Sequence, residues 1–246
     1  MNSKSELALR HNDTSVLEAH HSYQTFKILQ REENNIFVNL SEEQYRYCRK
    51  VMIRCILGTD MAKHFSLVKS LSDRVAREST KQTSLLESSR MGSSKDLGSK
   101  GSGLRDVEVT TDVDQWNSFD LDNEGDRLEL AAVIVHAADI SAQIADFEIA
   151  RDWGTRVFEE FRHEAKLHEK AGLTPPPYML KAKTKYDEYR MQPSFINNVL
   201  IPLWEPLEEL LGGLELPIKR LRSNARRYEE EADKVESSED SGKPSS

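Results

Sequence analysis

The stretch Leu128-Glu129-Leu130-Ala131-Ala132-Val133-Ile134-Val135-His136-Ala137-Ala138-Asp139 decides the fold. Its first nine residues are almost continuously apolar, so the segment is buried, as a helix or as a short strand. Periodicity alone does not separate those two. Apolar and polar residues do not alternate in it, and the segments on either side read as helices. Upstream, Ser15-Val16-Leu17-Glu18 has the spacing of a capping box, with an apolar face following through Leu17, Phe26, Ile28 and Leu29. Ser41-Glu42-Glu43-Gln44 is a second capping box. It opens a pattern through Tyr45, Cys48, Met52, Cys55 and Ile56 toward Phe65 and Leu67. Downstream, a helix is expected over 145–171, stopping at Gly172 before Thr174-Pro175-Pro176-Pro177. Further helices are expected over 181–200, with a kink or break at Pro193, over 203–211 and over 217–228. No hairpin signal occurs. The expected fold class is all-α, with one long insertion.

Two composition shifts interrupt this pattern. Residues 79–103 hold 8 Ser and 4 Gly in 25 positions, which reads as a flexible linker or surface loop. Residues 106–126 then carry eight acids and no Lys or Arg. The last 18 residues, 229–246, hold seven acids and two lysines, and disorder is expected there beyond the first turn. The 246-residue chain has 34 Lys+Arg against 42 Asp+Glu, a net charge of −8, which argues against a nucleic-acid binder. No apolar run is long enough to span a membrane, and the N-terminus lacks an apolar targeting segment. Cys48 and Cys55 are seven apart. On one helix that is about 10 Å, too far for a disulfide, so two thiols in a reducing cytoplasm are expected.

Few residues carry chemistry on their own. His136 and Asp139 share a helical face at i, i+3, which suits a divalent metal or a proton-transfer pair, and equally a structural hydrogen bond. His20 and His21 diverge by about 100° on a helix, so both cannot ligate one ion. Asp60 could accept a hydrogen bond from a histidine or a backbone group. Asp120-Leu121-Asp122-Asn123-Glu124-Gly125 starts like a calcium loop, but its twelfth position is Ala131 where a bidentate Glu is required, which excludes that reading. Gln192 and Phe195, three apart, suit an amide that bonds a nucleobase edge beside a ring that stacks on its face, or simply one core Phe and one surface Gln. No phosphate-cradling glycine motif is present.

The ordered set of motifs is more specific than any one of them. Ser5-Glu6-Leu7-Ala8-Leu9, Asn12-Asp13, Ser15-Val16-Leu17-Glu18, His20-His21, Leu57-Gly58-Thr59-Asp60-Met61-Ala62-Lys63-His64, His136-Ala137-Ala138-Asp139-Ile140-Ser141, Trp153, Met191-Gln192-Pro193-Ser194-Phe195-Ile196 and Pro202-Leu203-Trp204-Glu205 resemble, in order, the catalytic domain of class I 3′,5′-cyclic nucleotide phosphodiesterases. The resemblance implies a compact, HD-domain-like helical bundle over 5–228, truncated at its N-terminus, with a disordered insertion at 72–127 and a disordered acidic tail at 229–246. It implies hydrolysis of cyclic AMP or cyclic GMP to the 5′-monophosphate by a hydroxide held between two divalent ions, zinc with magnesium or manganese. On this resemblance Asp139 is a metal ligand and Gln192 bonds the purine. Phe195 and Val157 clamp it, Met61 walls the pocket, and His136 and Asp60 border the metals. The family's H-N-x-x-H and H-D-x-x-H-x-G segments, which supply the remaining ligands and the general-acid histidine, have no match, so no catalytic acid is assigned. On the resemblance, Ala142 stands where many members place a pocket asparagine and Ala150 where some place a tyrosine, both of which bear on substrate choice.

The expected partner is a cyclic nucleotide, and a homo-oligomer is compatible with the reading. Two other readings stand beside the enzyme fragment: a non-catalytic nucleotide-binding relative, and a helical interaction protein that kept only the scaffold. The enzyme reading requires the carboxylate at 139 and the amide at 192 to face a shared cavity.

Overall fold

The computed structural model describes residues 5–92, 119–181 and 183–241, leaving aside the side chains of 82, 85–92 and 239–241. The described residues form helices and turns and no strand. The helices are α1 (Glu6–Arg10), α2 (Val16–Leu29), α3 (Glu42–Gly58), α4 (His64–Gly92), α5 (Glu124–Asp139), α6 (Phe147–Lys170), α7 (Pro177–Lys181), α8 (Lys185–Phe195), α9 (Ile201–Leu211) and α10 (Glu215–Ser241). The ambiguous apolar segment is therefore helix, within α5. No described helix is long and apolar enough to cross a membrane.

Local chemistry explains most of the boundaries. Ser41 and Gln44 close a reciprocal capping box that satisfies two backbone donors at the start of α3. Gly172, with φ +70°, follows α6 in the left-handed region where a side chain would be strained, and α6 stops there. Ser15 behaves differently from expectation. Its φ of 43° turns the hydroxyl away from its own helix, and it makes no cap bond. It donates instead to Asp60 Oδ2, 2.7 Å away and 45 residues later. In α2 only Phe26 of the expected apolar face is buried, whereas Leu17 and Ile28 are exposed. Pro193 does not break α8. The departure from α geometry comes three residues later, as one π turn over Ile196–Leu200 that runs into α9.

The core is built mainly from the second half of the chain. Leu71 of α4, Val133 of α5, Ile196 and Leu200 of the π turn, Leu203 and Leu207 of α9, and Leu221, Tyr228 and Ala232 of α10 are all essentially inaccessible. Each large side chain removed from water contributes about 1.5–3 kcal/mol before chain entropy is counted. Helix α10 lies along α8 and α9, and α3 lies along α5. The α3–α5 approach is close because Gly58 carries no side chain: a Cβ there would meet the Ala132 Cβ at 3.1 Å.

Two expectations about disorder change at their edges. The linker expected from Ser79 is helical as far as Gly92, as the continuation of α4, and 119–127 is held in place. Arg74 pairs there with Asp126 at 2.9 Å and with Glu129, and its guanidinium sits 4.3 Å from the ring centre of the buried Phe119. The part of the expected insertion at 93–118 lies outside the described residues. The acidic tail is helical to Ser241, because Asp233 and Glu236 face Arg190 of α8 and Ala232 is buried beneath them. Residues 242–246 lie outside the described residues.

Candidate functional site

The residues singled out in the sequence fall into two groups. The first lies where α3, α4 and α5 meet. Asp60 stands in the break between α3 and α4 and caps the short 3-10 turn Met61–Lys63 by accepting from the Ala62 N–H at 2.9 Å. It also accepts from Ser15 and lies 3.7 Å from the Lys63 ammonium. Burial would raise its pKa, but these hydrogen bonds and the lysine charge outweigh that and leave it below the usual carboxylate value. Asp60 thus accepts from a serine and a backbone N–H rather than from a histidine. Met61, next to it, is exposed.

His64, the first residue of α4, bonds His136 of α5 directly: Nδ1 to Nε2 at 2.9 Å, with both rings fully inaccessible. The outer nitrogens, His64 Nε2 and His136 Nδ1, are buried without a bond of normal geometry. Backbone groups of Val199 and Gly58 lie close enough to favour protonation there. Two neutral rings carry two N–H protons. One fills the inner bond, so one outer nitrogen stays bare. Burial dominates, and both rings are pushed below the ordinary histidine value. His64 is lowered further by its neighbour's charge, and His136 is partly restored by Asp139. His136 is therefore committed to a histidine rather than to an ion. Asp139, one turn on at the end of α5, is exposed. Among the described residues no three His, Cys, Asp or Glu side chains gather into a set able to hold a metal ion. One exposed carboxylate is too few for a divalent cation, so the described residues do not make a metal site by themselves.

The second group lies where α6, α8 and α10 meet. Gln192 is a buried residue of α8, and no hydrogen bond joins its side-chain amide to another described residue. Its amide atoms are not among the buried atoms that lack a partner, so the amide meets solvent although the residue as a whole is buried. It rests against Gly154 of α6. Val157, three residues beyond Gly154, is on the exposed side of α6, and Phe195, one turn beyond Gln192, is half-buried against the core. Around them is a buried polar frame. Asn224 donates to the carbonyls of Gln143 and Ala145 at 2.8 and 2.9 Å, and Gln143 donates to Ala150 at 3.2 Å. The Tyr228 hydroxyl and Gln143 Oε1 are buried without completed bonds. Burial pushes the Tyr228 phenol far above its ordinary value, and the neighbouring Gln143 only tempers this.

No hydrogen bond or ion pair among the described residues joins Asp139 to Gln192. The groups are linked through the backbone. The π turn that presents Val199 to His64 begins at Ile196, directly after Phe195. A cleft of about 210 Å³ lined by Gly58, Lys63, Leu67, Ala132 and Val133 borders the first group. A second, of about 350 Å³, lies between the end of α2 and the start of α3 and is lined by Phe26, Phe37 and Tyr45, with none of the singled-out residues in its wall. The sequence reading missed His64 as the partner of His136, and missed Gly154 altogether. In the sequence His64 stands only as the last residue of the Leu57–His64 motif, with nothing local that links it to His136. A single small residue between Trp153 and Val157 was the only trace of the second.

Comparison with known proteins adds an independent line. The model of the 3′5′-cyclic nucleotide phosphodiesterase family matches residues 1–221. The chain is 33% identical over 211 residues to the 3′,5′-cyclic-AMP phosphodiesterase 4C of Rattus norvegicus, covering 86% of this chain and 33% of that protein. It is 28% identical over 231 residues to the high affinity cGMP-specific 3′,5′-cyclic phosphodiesterase 9A of Mus musculus, covering 94% and 35%. The crystal structure of the phosphodiesterase domain of the Salpingoeca rosetta rhodopsin phosphodiesterase superposes with a TM-score of 0.75 at 28% identity, covering 98% of this chain and 61% of that one. The chain thus spans about a third of the length of these curated relatives.

Proposed function

Because the chain belongs to the 3′5′-cyclic nucleotide phosphodiesterase family, we propose that it forms the base-binding half of a site for cyclic AMP or cyclic GMP in signalling. The activity of the whole enzyme is hydrolysis of the 3′,5′-cyclic phosphate to the 5′-monophosphate. The observation that carries this reading is Gln192, a buried residue of α8 whose amide lies against α6 at Gly154, with Phe195 one turn on in α8 and Val157 one turn on in α6. An amide offers one acceptor and one two-proton donor, which match the donor–acceptor edge of either purine. A ring and an aliphatic side chain on opposite sides of the base supply dispersion without discriminating between purines. Met61 walls the same pocket, and Asp60 and His136 hold the α3–α4–α5 junction that carries Asp139 toward the phosphate.

Asp139 is the one metal ligand that this chain supplies. It would hold a divalent ion only together with ligands that the described residues do not supply, and such an ion would provide an activated hydroxide. The chain by itself has little or no hydrolase activity, because a single carboxylate does not retain a catalytic ion. Its two thiols, Cys48 and Cys55, are unpaired, consistent with a reducing compartment such as the cytoplasm.

Titration calorimetry of the chain with cyclic AMP and cyclic GMP, without added metal, tests the reading. Binding is expected, and Gln192→Ala should weaken it about tenfold or more by removing two base contacts. Equal binding by wild type and Gln192→Ala, or none by the wild type, would overturn it. Turnover of cyclic AMP by the chain with Mg²⁺ or Mn²⁺ would overturn the inactivity.

A further inference from the structure

The cleft at the α3–α4–α5 junction has a wall that the nucleotide reading does not use. It holds about 210 Å³, and none of its lining residues belongs to α6, α8 or α10. Its floor is apolar: Leu57, Leu67, Ala132 and Val133, of which the last two are buried. Its rim carries two cations, Arg54 of α3 and Lys63 of the turn before α4, and one acid, Glu129 of α5. Glu129 is already neutralised, by Arg74 and by the Ser70 hydroxyl at 2.7 Å. Lys63 donates to Ser15 at 2.8 Å and to the Leu57 carbonyl at 3.3 Å, and its ammonium lies 3.7 Å from Asp60. Arg54 differs from both. No hydrogen bond or ion pair joins its guanidinium to another described residue, and burial raises the pKa of the Cys55 thiol beside it, so that neighbour stays neutral. The charge left over at this wall is therefore positive.

The geometry points to a binding site for a compact organic carboxylate, its apolar body on Leu57, Leu67 and Val133 and its carboxylate on the Arg54 guanidinium. The planar fork of an arginine matches the two oxygens of a carboxylate. The cleft is smaller than a drug-sized site, so the body it takes is about the size of one aromatic ring. Free phosphate fits the charge but not the floor, because it gives up hydration to apolar walls that offer no hydrogen bond in return. An organic cation is repelled by the same rim. A molecule seated there touches α3, α4 and α5 at once, so its binding favours the packed junction of those helices. The site is independent of the base-binding reading of Gln192.

Methyl nuclear magnetic resonance of the full chain, titrated with benzoate, benzamide and inorganic phosphate, tests the proposal. Benzoate should shift the Leu57, Leu67 and Val133 methyl resonances saturably, with a Kd of about a millimolar or tighter for a ligand of this size. Benzamide has the same shape without the charge and should bind about tenfold more weakly, the loss of a hydrogen bond to a charged group. Arg54→Gln changes an exposed residue without removing a bond to a described one, and should weaken benzoate by the same factor. Arg46→Gln, the same charge change on α3 outside the cleft, should leave benzoate binding as it was. No saturable shift with benzoate, equal affinity for benzamide, or equal benzoate binding by Arg54→Gln overturns the proposal. Inorganic phosphate that moves the same methyls at equal affinity overturns it too, and so does equal weakening by Arg46→Gln. Should Arg54→Gln not fold, the comparison of the three ligands on the wild-type chain decides by itself.

Discussion

Replacing His136 with alanine tests whether the buried histidine pair holds the α4–α5 junction. The ring is fully inaccessible, and its Nε2 lies 2.9 Å from His64 Nδ1. Truncation leaves a cavity of large-to-small type, about 2–3 kcal/mol. It also strands His64 Nδ1 in the interior, which adds about 1–3 kcal/mol. The expected loss is about 3–6 kcal/mol, a large share of the 5–15 kcal/mol typical of a folded domain. Gln places a nitrogen near the position of Nε2, so His136→Gln should cost only about 1 kcal/mol. In a double-mutant cycle with His64→Ala, the paired loss should fall short of the summed single losses by about 1 kcal/mol or more.

Acid adds a second signature. The unfolded chain protonates each ring near its ordinary value of 6.5, whereas the folded pair is lowered below it. Below pH 6.5 the unfolded state binds more protons. The stabilisation is therefore complete above 6.5 and is lost as the pH falls toward the lower folded values. Urea denaturation followed by far-ultraviolet circular dichroism, at pH 7.5 and at intervals down to pH 5, measures both effects. Equal losses for His136→Ala and His136→Gln, a coupling near zero, and the same acid slope in the double variant would together refute the argument.

Other perturbations follow from the same geometry. Arg74→Ala removes two carboxylate partners and the contact with Phe119. At a side-chain exposure of 14% it should cost about 2 kcal/mol in the same denaturation assay, less than a fully buried pair. Asp60→Ala loses the turn cap and the Ser15 bond, about 1–2 kcal/mol, and Ser15→Ala should lose little further once Asp60 is gone. The Asp60 pKa is lowered, so its contribution is present above 3.8 and disappears as the pH falls below that value, which the Asp60→Ala chain should not do. Leu203→Ala, at a fully inaccessible site of α9, should cost about 2–5 kcal/mol, and a loss below 1 kcal/mol would mean that the described core is not packed.

What the sequence disclosed depended on how local the controlling interaction is. The start of α3 was legible because Ser41 and Gln44 satisfy each other within one turn. The stop after α6 was legible because Gly172 is strained for any other residue. Ser15 has the same pattern as Ser41, yet its hydroxyl serves Asp60, and nothing within a turn of Ser15 announces that. The ends of α4 and α10 were misread for a related reason. Ser and Glu runs look like loops, but a helix already nucleated and anchored by Leu71, or by Ala232 against α8, extends through such residues at small cost per step. The acids that suggested a solvated tail are the ones that pair with Arg190.

The site divides in the same way. Gln192, Phe195 and Val157 carry side chains whose chemistry can be named, and their order along the chain resembled a known pattern. Gly154, against which Gln192 packs, carries no side chain at all, so that contact is visible only once the distance from its absent Cβ to the amide is known. His64 was hidden differently. It is a common residue beside a lysine at a helix start, and only the close α3–α5 approach at Gly58 and Ala132 accompanies the placing of its partner within hydrogen-bond reach. Side chains with chemistry that can be named are therefore the easier half of such an arrangement to read. The residues packed against them act by shape and by distance in sequence, and these appear only when the helices are packed.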